Sequence, residues 1–259
     1  MPRILLTGST GYIGSKLYAL LAERFTTARL SRGAFADNFD ELHYYVNSFS
    51  SDSNFSAALN DVDVVIHLAA RAHLFNKYEQ ADLEGYRVCN TYATLSLAKQ
   101  AAANGVKRFV FLSSIGVMGT HNSRTFTLAD KSSPTDNYSI SKNDAEIGLR
   151  KISAETGMEL VIIRPPLVYG KAAPGNFGLL LKLANKNLPL PLGSINNQRS
   201  FVAIDNLIDL IITCVDHPNA AGETFLVSDD EDVSTSALLE KLIIAAGKNL
   251  YWFLFLYLF

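Results

Sequence analysis

Cysteine is scarce in this 259-residue chain: Cys89 and Cys214 are the only two, and no Cys-x-x-Cys or His-Glu-x-x-His spacing occurs. Two thiols cannot staple a small disulfide scaffold, and the missing spacings remove the common zinc signatures, so no metal is expected. Both cysteines fall in helix-like patterns, which predicts buried free thiols and a reducing, cytoplasmic setting. A basic excess is also missing. The chain has 23 Lys+Arg against 25 Asp+Glu, a formal net charge of −2, and no basic cluster, which argues against nucleic acid as a partner. Charged residues make up 19% and hydrophobic residues 48%, too apolar for a disordered chain and enough for a sizeable core. The tail from Leu250 to Phe259 is uniformly apolar and aromatic. It falls short of the roughly 20 residues a membrane span requires, so no membrane anchor is expected. Met1-Pro2-Arg3 runs straight into an apolar segment and leaves no room for a secretory signal.

Glycine is present where it matters. Thr7-Gly8-Ser9-Thr10-Gly11-Tyr12-Ile13-Gly14 follows the apolar run Ile4-Leu5-Leu6 and opens a helical pattern in Ile13, Leu17, Leu20 and Leu21. A strand, a glycine turn and a helix in this order form a dinucleotide-binding fingerprint. Gly8 permits the turn, Gly11 lets the backbone approach a pyrophosphate, and Gly14 allows the helix to pack closely on the strand. Further along, apolar runs at 28–30, 43–46, 62–67, 109–112 and 160–163 alternate with helical patterns at about 82–104 and 138–156. That alternation predicts an α/β fold: a Rossmann-like, doubly wound parallel sheet. The dinucleotide-binding domain is expected over 1–170 and a smaller substrate lobe over 171–259. Prolines and glycines break the rhythm in that lobe, and a short strand at 224–227 returns to the sheet. Helices are expected at 205–215 and 236–246. In such sheets ligands lie beyond the carboxyl ends of the strands, so the residues there are the ones to question.

Tyr138-Ser139-Ile140-Ser141-Lys142 places a phenol and an ammonium one helical turn apart on one face. A cation there is expected to lower the tyrosine pKa, giving a group that moves a proton to or from a sugar oxygen. The spacing recurs at Tyr12 and Lys16, but that pair belongs to the glycine turn and its helix and is read as a decoy. Ser113 and Ser114 end a buried strand and offer a hydroxyl to a substrate oxygen. His67 also ends a buried strand and is read as a satisfied structural histidine.

With these residues together, the chain resembles the extended short-chain dehydrogenase/reductase family, in its nucleotide-sugar epimerase/dehydratase branch. The resemblance runs from Met1 to about Gly247. Its marks are residues 7–14, His67-Leu68-Ala69-Ala70, Asn90, Ser113 to Gly119, Tyr138/Lys142 and Arg164-Pro165-Pro166-Leu167-Val168-Tyr169-Gly170. It implies Ser114, Tyr138 and Lys142 as the catalytic residues. It implies a cofactor site of Gly8, Thr10, Gly11, Tyr12, Ile13, Gly14, Ser31, Arg32, Leu68, Ala69, Ala70, Asn90, Tyr138, Lys142 and Pro165. Asn176 and Arg199 correspond to residues that hold the substrate diphosphate, with Ser114 beside the sugar. The partner implied is a UDP-sugar, and the assembly a homodimer.

Three departures refine this. Ser31-Arg32 stands where epimerases of the branch carry an acid for the adenosine ribose, and an arginine suits the 2′-phosphate of NADP. The usual acid after the third strand is replaced around Asn47-Ser48. The apolar tail stands in place of a longer segment that closes the sugar pocket in relatives, so the lobe reads as truncated. The cofactor expected is therefore NADP or NAD. The activity expected first is a 4-ketoreductase of a UDP-6-deoxy-N-acetylhexosamine in surface-polysaccharide precursor synthesis. UDP-glucose 4-epimerase is the alternative, and a non-catalytic cofactor-binding paralogue the second alternative.

Overall fold

The computed structural model describes residues 1–33, 42–72, 82–186 and 195–248. The apolar tail at 250–259 lies outside these. Seven parallel strands form one sheet: β1 (Arg3–Thr7), β2 (Thr26–Arg32), β3 (His43–Val46), β4 (Val64–His67), β5 (Arg108–Leu112), β6 (Glu159–Arg164) and β9 (Thr224–Leu226), the last numbered after two strands of a separate sheet. Their order is β3-β2-β1-β4-β5-β6-β9. Every residue of β4 and β5 is buried, the pattern of strands covered on both faces. The order reverses direction between β1 and β4, which pair in register from Ile4↔Val64 to Thr7↔His67. The carboxyl ends of these two strands therefore frame the switch-point crevice.

Helices follow the strands. α1 (Tyr12–Arg24) buries Gly14, Leu17 and Leu21. The pattern expected as one helix over 82–104 is broken: α2 (Leu83–Arg87) passes through a π-helical turn (Val88–Tyr92) into α3 (Ala93–Ala103). An inserted residue shifts the apolar phase by about 100°, but the five residues of α2 are too few to set a phase from which the shift could be read. α4 (Asn137–Thr156) starts at Asp136, whose carboxylate accepts from Ser139 N at 2.9 Å, and ends at Gly157 in the left-handed region (φ 75°). Only glycine adopts that φ without steric cost, which is why the helix stops there. Phe55, Phe109, Phe111, Leu97, Leu149 and Ile162 centre the core between sheet and helices. Truncating one of these phenylalanines would cost about 3–5 kcal/mol.

The chain divides into two compact units, Met1–Pro165 with Leu207–Val227, and Pro166–Asn206 with Ser228–Phe259. The second contains a pair of parallel strands, β7 (Leu167–Tyr169) and β8 (Phe201–Ala203), and a helix, α5 (Gly175–Asn185), none of which the sequence announced. Next in chain order are α6 (Ile204–Asp216) and α7 (Thr235–Ala245). In the second unit Leu180 and Ala184 of α5 pack on Leu239, Leu242 and Ile243 of α7.

Candidate active site

The glycine turn closes with Gly11 N donating to Gly8 O at 3.0 Å. Space is the reason for its glycines. A Cβ on Gly14 would lie 2.1 Å from Gly8 O, and one on Gly8, itself at φ +74°, would lie 2.7 Å from Ala69 N. The first position packs α1 on the turn, and the second packs the turn on the loop Leu68-Ala69-Ala70 after β4. No side chain caps the start of α1. The hydroxyl of Ser9, inside the turn, is buried without a hydrogen-bond partner among the described residues. An uncapped helix start, a backbone cradle and an orphan hydroxyl suit a pyrophosphate. Thr10 and Gly11 are exposed, and Tyr12 and Ile13 half-buried, on the rim of that cradle.

His67 is fully buried at the end of β4. Its partners define its tautomer. Thr94 Oγ1 donates to Asn90 O at 2.8 Å and so accepts from His67 Nε2 at 2.9 Å. Nδ1 is left to accept from Thr7 Oγ1 at 2.7 Å, while Thr7 Oγ1 accepts from Ala69 N. Burial, with the charge of Lys142 added, pushes its pKa down to about 3. It is a neutral strut with both nitrogens engaged, not a base.

Asn90, in the π turn, is fully buried with its amide saturated: Oδ1 accepts from Arg71 N, and Nδ2 donates to Arg71 O and Ser141 Oγ. It ties the loop after β4 to α4. On α4, Tyr138 is half-buried with its ring edge-on to Tyr86 at 6.4 Å. Lys142 is 1% exposed. Its Nζ donates to Leu112 O at 2.8 Å and lies 4.5 Å from the centre of the Phe111 ring.

The titration of Tyr138 runs opposite to the expectation from spacing. Burial, then Asp136 and Tyr86, raise its pKa to about 12. Equal spacing puts the two side chains on one face, but the long lysine reaches across to the end of β5 instead of lying along the phenol. Burial lowers Lys142 to about 8, with Cys89 and Glu146 acting the other way. An ammonium this poorly solvated is held near the pH at which it gives up its proton.

The two serines separate by their partners. Ser113 is buried and its hydroxyl donates to Glu146 Oε1 at 2.5 Å. Ser114 is half-buried, and its hydroxyl accepts from Gly116 N at 3.1 Å at the start of a 3-10 turn (Ile115–Met118). Among the described residues no acceptor takes the Ser114 hydroxyl proton, which is left to give. Pro165, after β6, is buried and its carbonyl accepts from Ile115 N at 2.9 Å.

At the end of β2, Ser31 is buried and its hydroxyl engaged with His43 Nε2 at 3.0 Å, whereas Arg32 is exposed. In the second unit, Arg199 is exposed and its backbone bridges Val233, while Asn176 lies in the first turn of α5. Sequence reasoning assigned no role to Glu146, or to Arg164 beyond its place in the 164–170 motif, yet the two form a buried ion pair at 2.6 Å. The available signal was an acid four residues beyond Lys142, on the helix face that turns inward.

Residues 4–228 match the NAD dependent epimerase/dehydratase family. The chain belongs to that family. Among relatives of this epimerase/dehydratase chain, UDP-glucose 4-epimerase of Vibrio cholerae is 45% identical over 253 residues, spanning 96% of this chain and 77% of the relative. Two solved structures share the fold. UDP-glucuronic acid 4-epimerase from Bacillus cereus, in complex with NAD, gives a TM-score of 0.81 at 23% identity, covering 97% of this chain and 87% of that one. UDP-N-acetylglucosamine 4-epimerase from Methanobrevibacter ruminantium gives 0.81 at 20% identity, covering 98% and 85%. An NAD-dependent family accords with an uncapped helix start behind a tightly packed glycine turn. Among the described residues no helix is long and apolar enough to cross a membrane.

Proposed function

We propose that the chain is a 4-epimerase of a UDP-hexose, with UDP-glucose and UDP-galactose as the pair interconverted. The observation that carries this is the 45% identity, over 96% of the chain, to a UDP-glucose 4-epimerase. It outweighs the ketoreductase expected first from Arg32, because one arginine at a strand end is a narrower signal than likeness over the whole chain.

A bound nicotinamide would supply the hydride acceptor and donor for sugar C4 in the crevice between the glycine turn and α4. The chain's own residues hold and move the proton. The uncapped start of α1, from Tyr12 to Gly14, holds the pyrophosphate, and the loop Leu68-Ala69-Ala70 with Pro165 bounds the cofactor. Tyr138 takes the proton of the 4-hydroxyl and gives it back, and Ser114 donates a hydrogen bond to the same oxygen. Lys142 supplies the positive charge that favours the phenolate once cofactor is present; a phenol with a pKa near 12 needs that help. Asn176 and Arg199 hold the diphosphate, the arginine by its two-pronged fork. The protein acts as a homodimer. Val88 and Tyr92 of the π turn and Ile147 of α4 are 38%, 39% and 61% exposed, an apolar surface suited to a second copy.

The test is direct. Purified protein interconverts UDP-glucose and UDP-galactose with no net consumption of nicotinamide cofactor. The second reading, a UDP-sugar 4-ketoreductase, is favoured by exposed Arg32 and would show as stoichiometric NADPH oxidation with a 4-keto UDP-sugar. A protein that bound cofactor and turned over neither substrate would be the non-catalytic paralogue.

A further inference from the structure

A buried ion pair lies one helical turn beyond Lys142. Glu146 and Arg164 are 2% and 7% exposed, and their contact is bidentate, with Arg164 Nη2 donating to Oε2 at 2.6 Å and Nε to Oε1 at 3.0 Å. Two charges out of water carry a heavy desolvation cost, and a well-packed apolar pair often stabilises a fold as well or better. Stability alone gives no reason for it.

Its other bonds do. Ser113, next to Ser114, donates to Glu146 Oε1, and Arg164 Nη1 donates to Met118 Sδ at 2.8 Å. Met118 ends the 3-10 turn that Ser114 caps. Arg164 immediately precedes Pro165, whose carbonyl accepts from Ile115. Glu146 continues the series Tyr138, Lys142 along one face of α4, each step four residues. Lys142 itself donates to Leu112, one residue before Ser113. The strand end bearing Ser114, the strand end bearing Pro165 and the helix bearing Tyr138 and Lys142 thus meet at this one pair.

We propose that Glu146 and Arg164 are positioning residues of the hydride-transfer site: the pair holds the Ser114 strand end in register with the Tyr138/Lys142 helix face, and its opposite charges balance the field at Lys142. The inference rests on the reading of Tyr138, Lys142 and Ser114 as the reacting set. Lys142 is faced by His67 from β4, Cys89 from the π turn and Glu146 from its own helix; Tyr138 is faced by Asp136 and Tyr86. His67 is neutral, so Glu146 is the carboxylate in that set acting on Lys142. Without its charge, Arg164 is left unbalanced and a second cation at Lys142 is disfavoured. Removing Arg164 has the opposite effect.

The experiment follows the Lys142 side-chain ¹⁵N signal, assigned with K142R, through a pH titration of the NAD-loaded protein. It is combined with kcat and KM for UDP-glucose and with thermal unfolding. E146Q lowers the Lys142 midpoint by about one pH unit, and R164M raises it by about as much. Both lower kcat about ten- to a hundredfold, as expected for a site misaligned by a fraction of an ångström to an ångström, with KM within about twofold. E146Q/R164M, which buries no lone charge, returns the midpoint to the wild-type value while kcat stays low, because the bidentate bridge is still missing. If the single variants lose thermal stability but keep wild-type kcat and midpoint, the pair is structural only and the proposal fails. If the singles do not fold, the double variant decides, and wild-type kcat in it overturns the positioning role. If wild-type protein turns over no UDP-hexose, the proposed function fails. The Lys142 midpoints then still judge the pair: opposite shifts support it, and unmoved midpoints reject it.

Discussion

The chain contains the same five-residue spacing twice, Tyr12 to Lys16 and Tyr138 to Lys142, in settings that share almost nothing. The first pair begins α1 directly after the glycine turn, and both of its side chains are half-buried. The second lies in the opening turns of α4, where Lys142 is sealed between a strand-end carbonyl and the Phe111 ring. Spacing supplied a shared face in both cases. Only in the second does a long-range contact take the lysine out of water. A Tyr-x-x-x-Lys spacing is thus a geometric allowance, and the strand end facing it decides whether it becomes a site.

The sharpest way to break the comparison is at the phenols. Y138F is expected to lower kcat for UDP-hexose interconversion by about a thousandfold while cofactor binding stays intact, because general acid–base groups contribute on that scale. Y12F is expected to leave kcat within about twofold. Equal losses in steady-state assays would mean that the first pair is not a decoy.

The next test concerns what the first pair sits on. G14A puts a methyl 2.1 Å from Gly8 O, so the turn or α1 must move. A destabilisation of about 2–4 kcal/mol is expected by urea unfolding, together with loss of NAD binding by calorimetry. Retained affinity would mean that the cradle is not the pyrophosphate site.

The lysines differ in what burial costs the fold, and at Lys142 that cost depends on pH. Lys142 has a folded pKa of about 8, below its ordinary 10.5, so between those values the unfolded chain holds a proton that the folded chain has released. Stability therefore rises with pH across that window, and the penalty for burying the charge is felt in full below pH 8. K142M removes the penalty but leaves Leu112 O without its donor. We expect a net gain of about 1–2 kcal/mol at pH 7, fading towards pH 10.5, alongside loss of turnover. K16M, at the half-buried site, is expected to change stability by less than about 0.5 kcal/mol at pH 7. Denaturant unfolding at a series of pH values reads both.

Much of the first unit was legible. Strands β1, β4, β5 and β6 are short apolar runs buried on both faces, and the turn at Gly8 to Gly14 needs glycine for reasons a sequence can state. The π turn at Val88–Tyr92 was not legible, since the helical segment before it, Leu83–Arg87, is too short to fix a phase against which a one-residue shift could be read. Nor were β7, β8 and α5, which lie among prolines and glycines and depend on pairing partners far along the chain, as Leu167↔Phe201 does. At the site, the spacing made Tyr138 and Lys142 candidates but pointed the wrong way for the tyrosine's titration, because burial and Asp136 outweigh a lysine directed elsewhere.

By itself the sequence determined the backbone-built part of this protein: a glycine cradle at the end of the first strand and the parallel sheet behind it. Those features follow from local steric allowance and hydrophobic period, both carried by neighbouring residues. Tertiary structure alone decided that Lys142 leaves water for the Leu112 carbonyl, which of two adjacent serines donates to Glu146, and that Glu146 and Arg164 pair beside them. Each of those outcomes depends on burial and on hydrogen-bond partners tens of residues away.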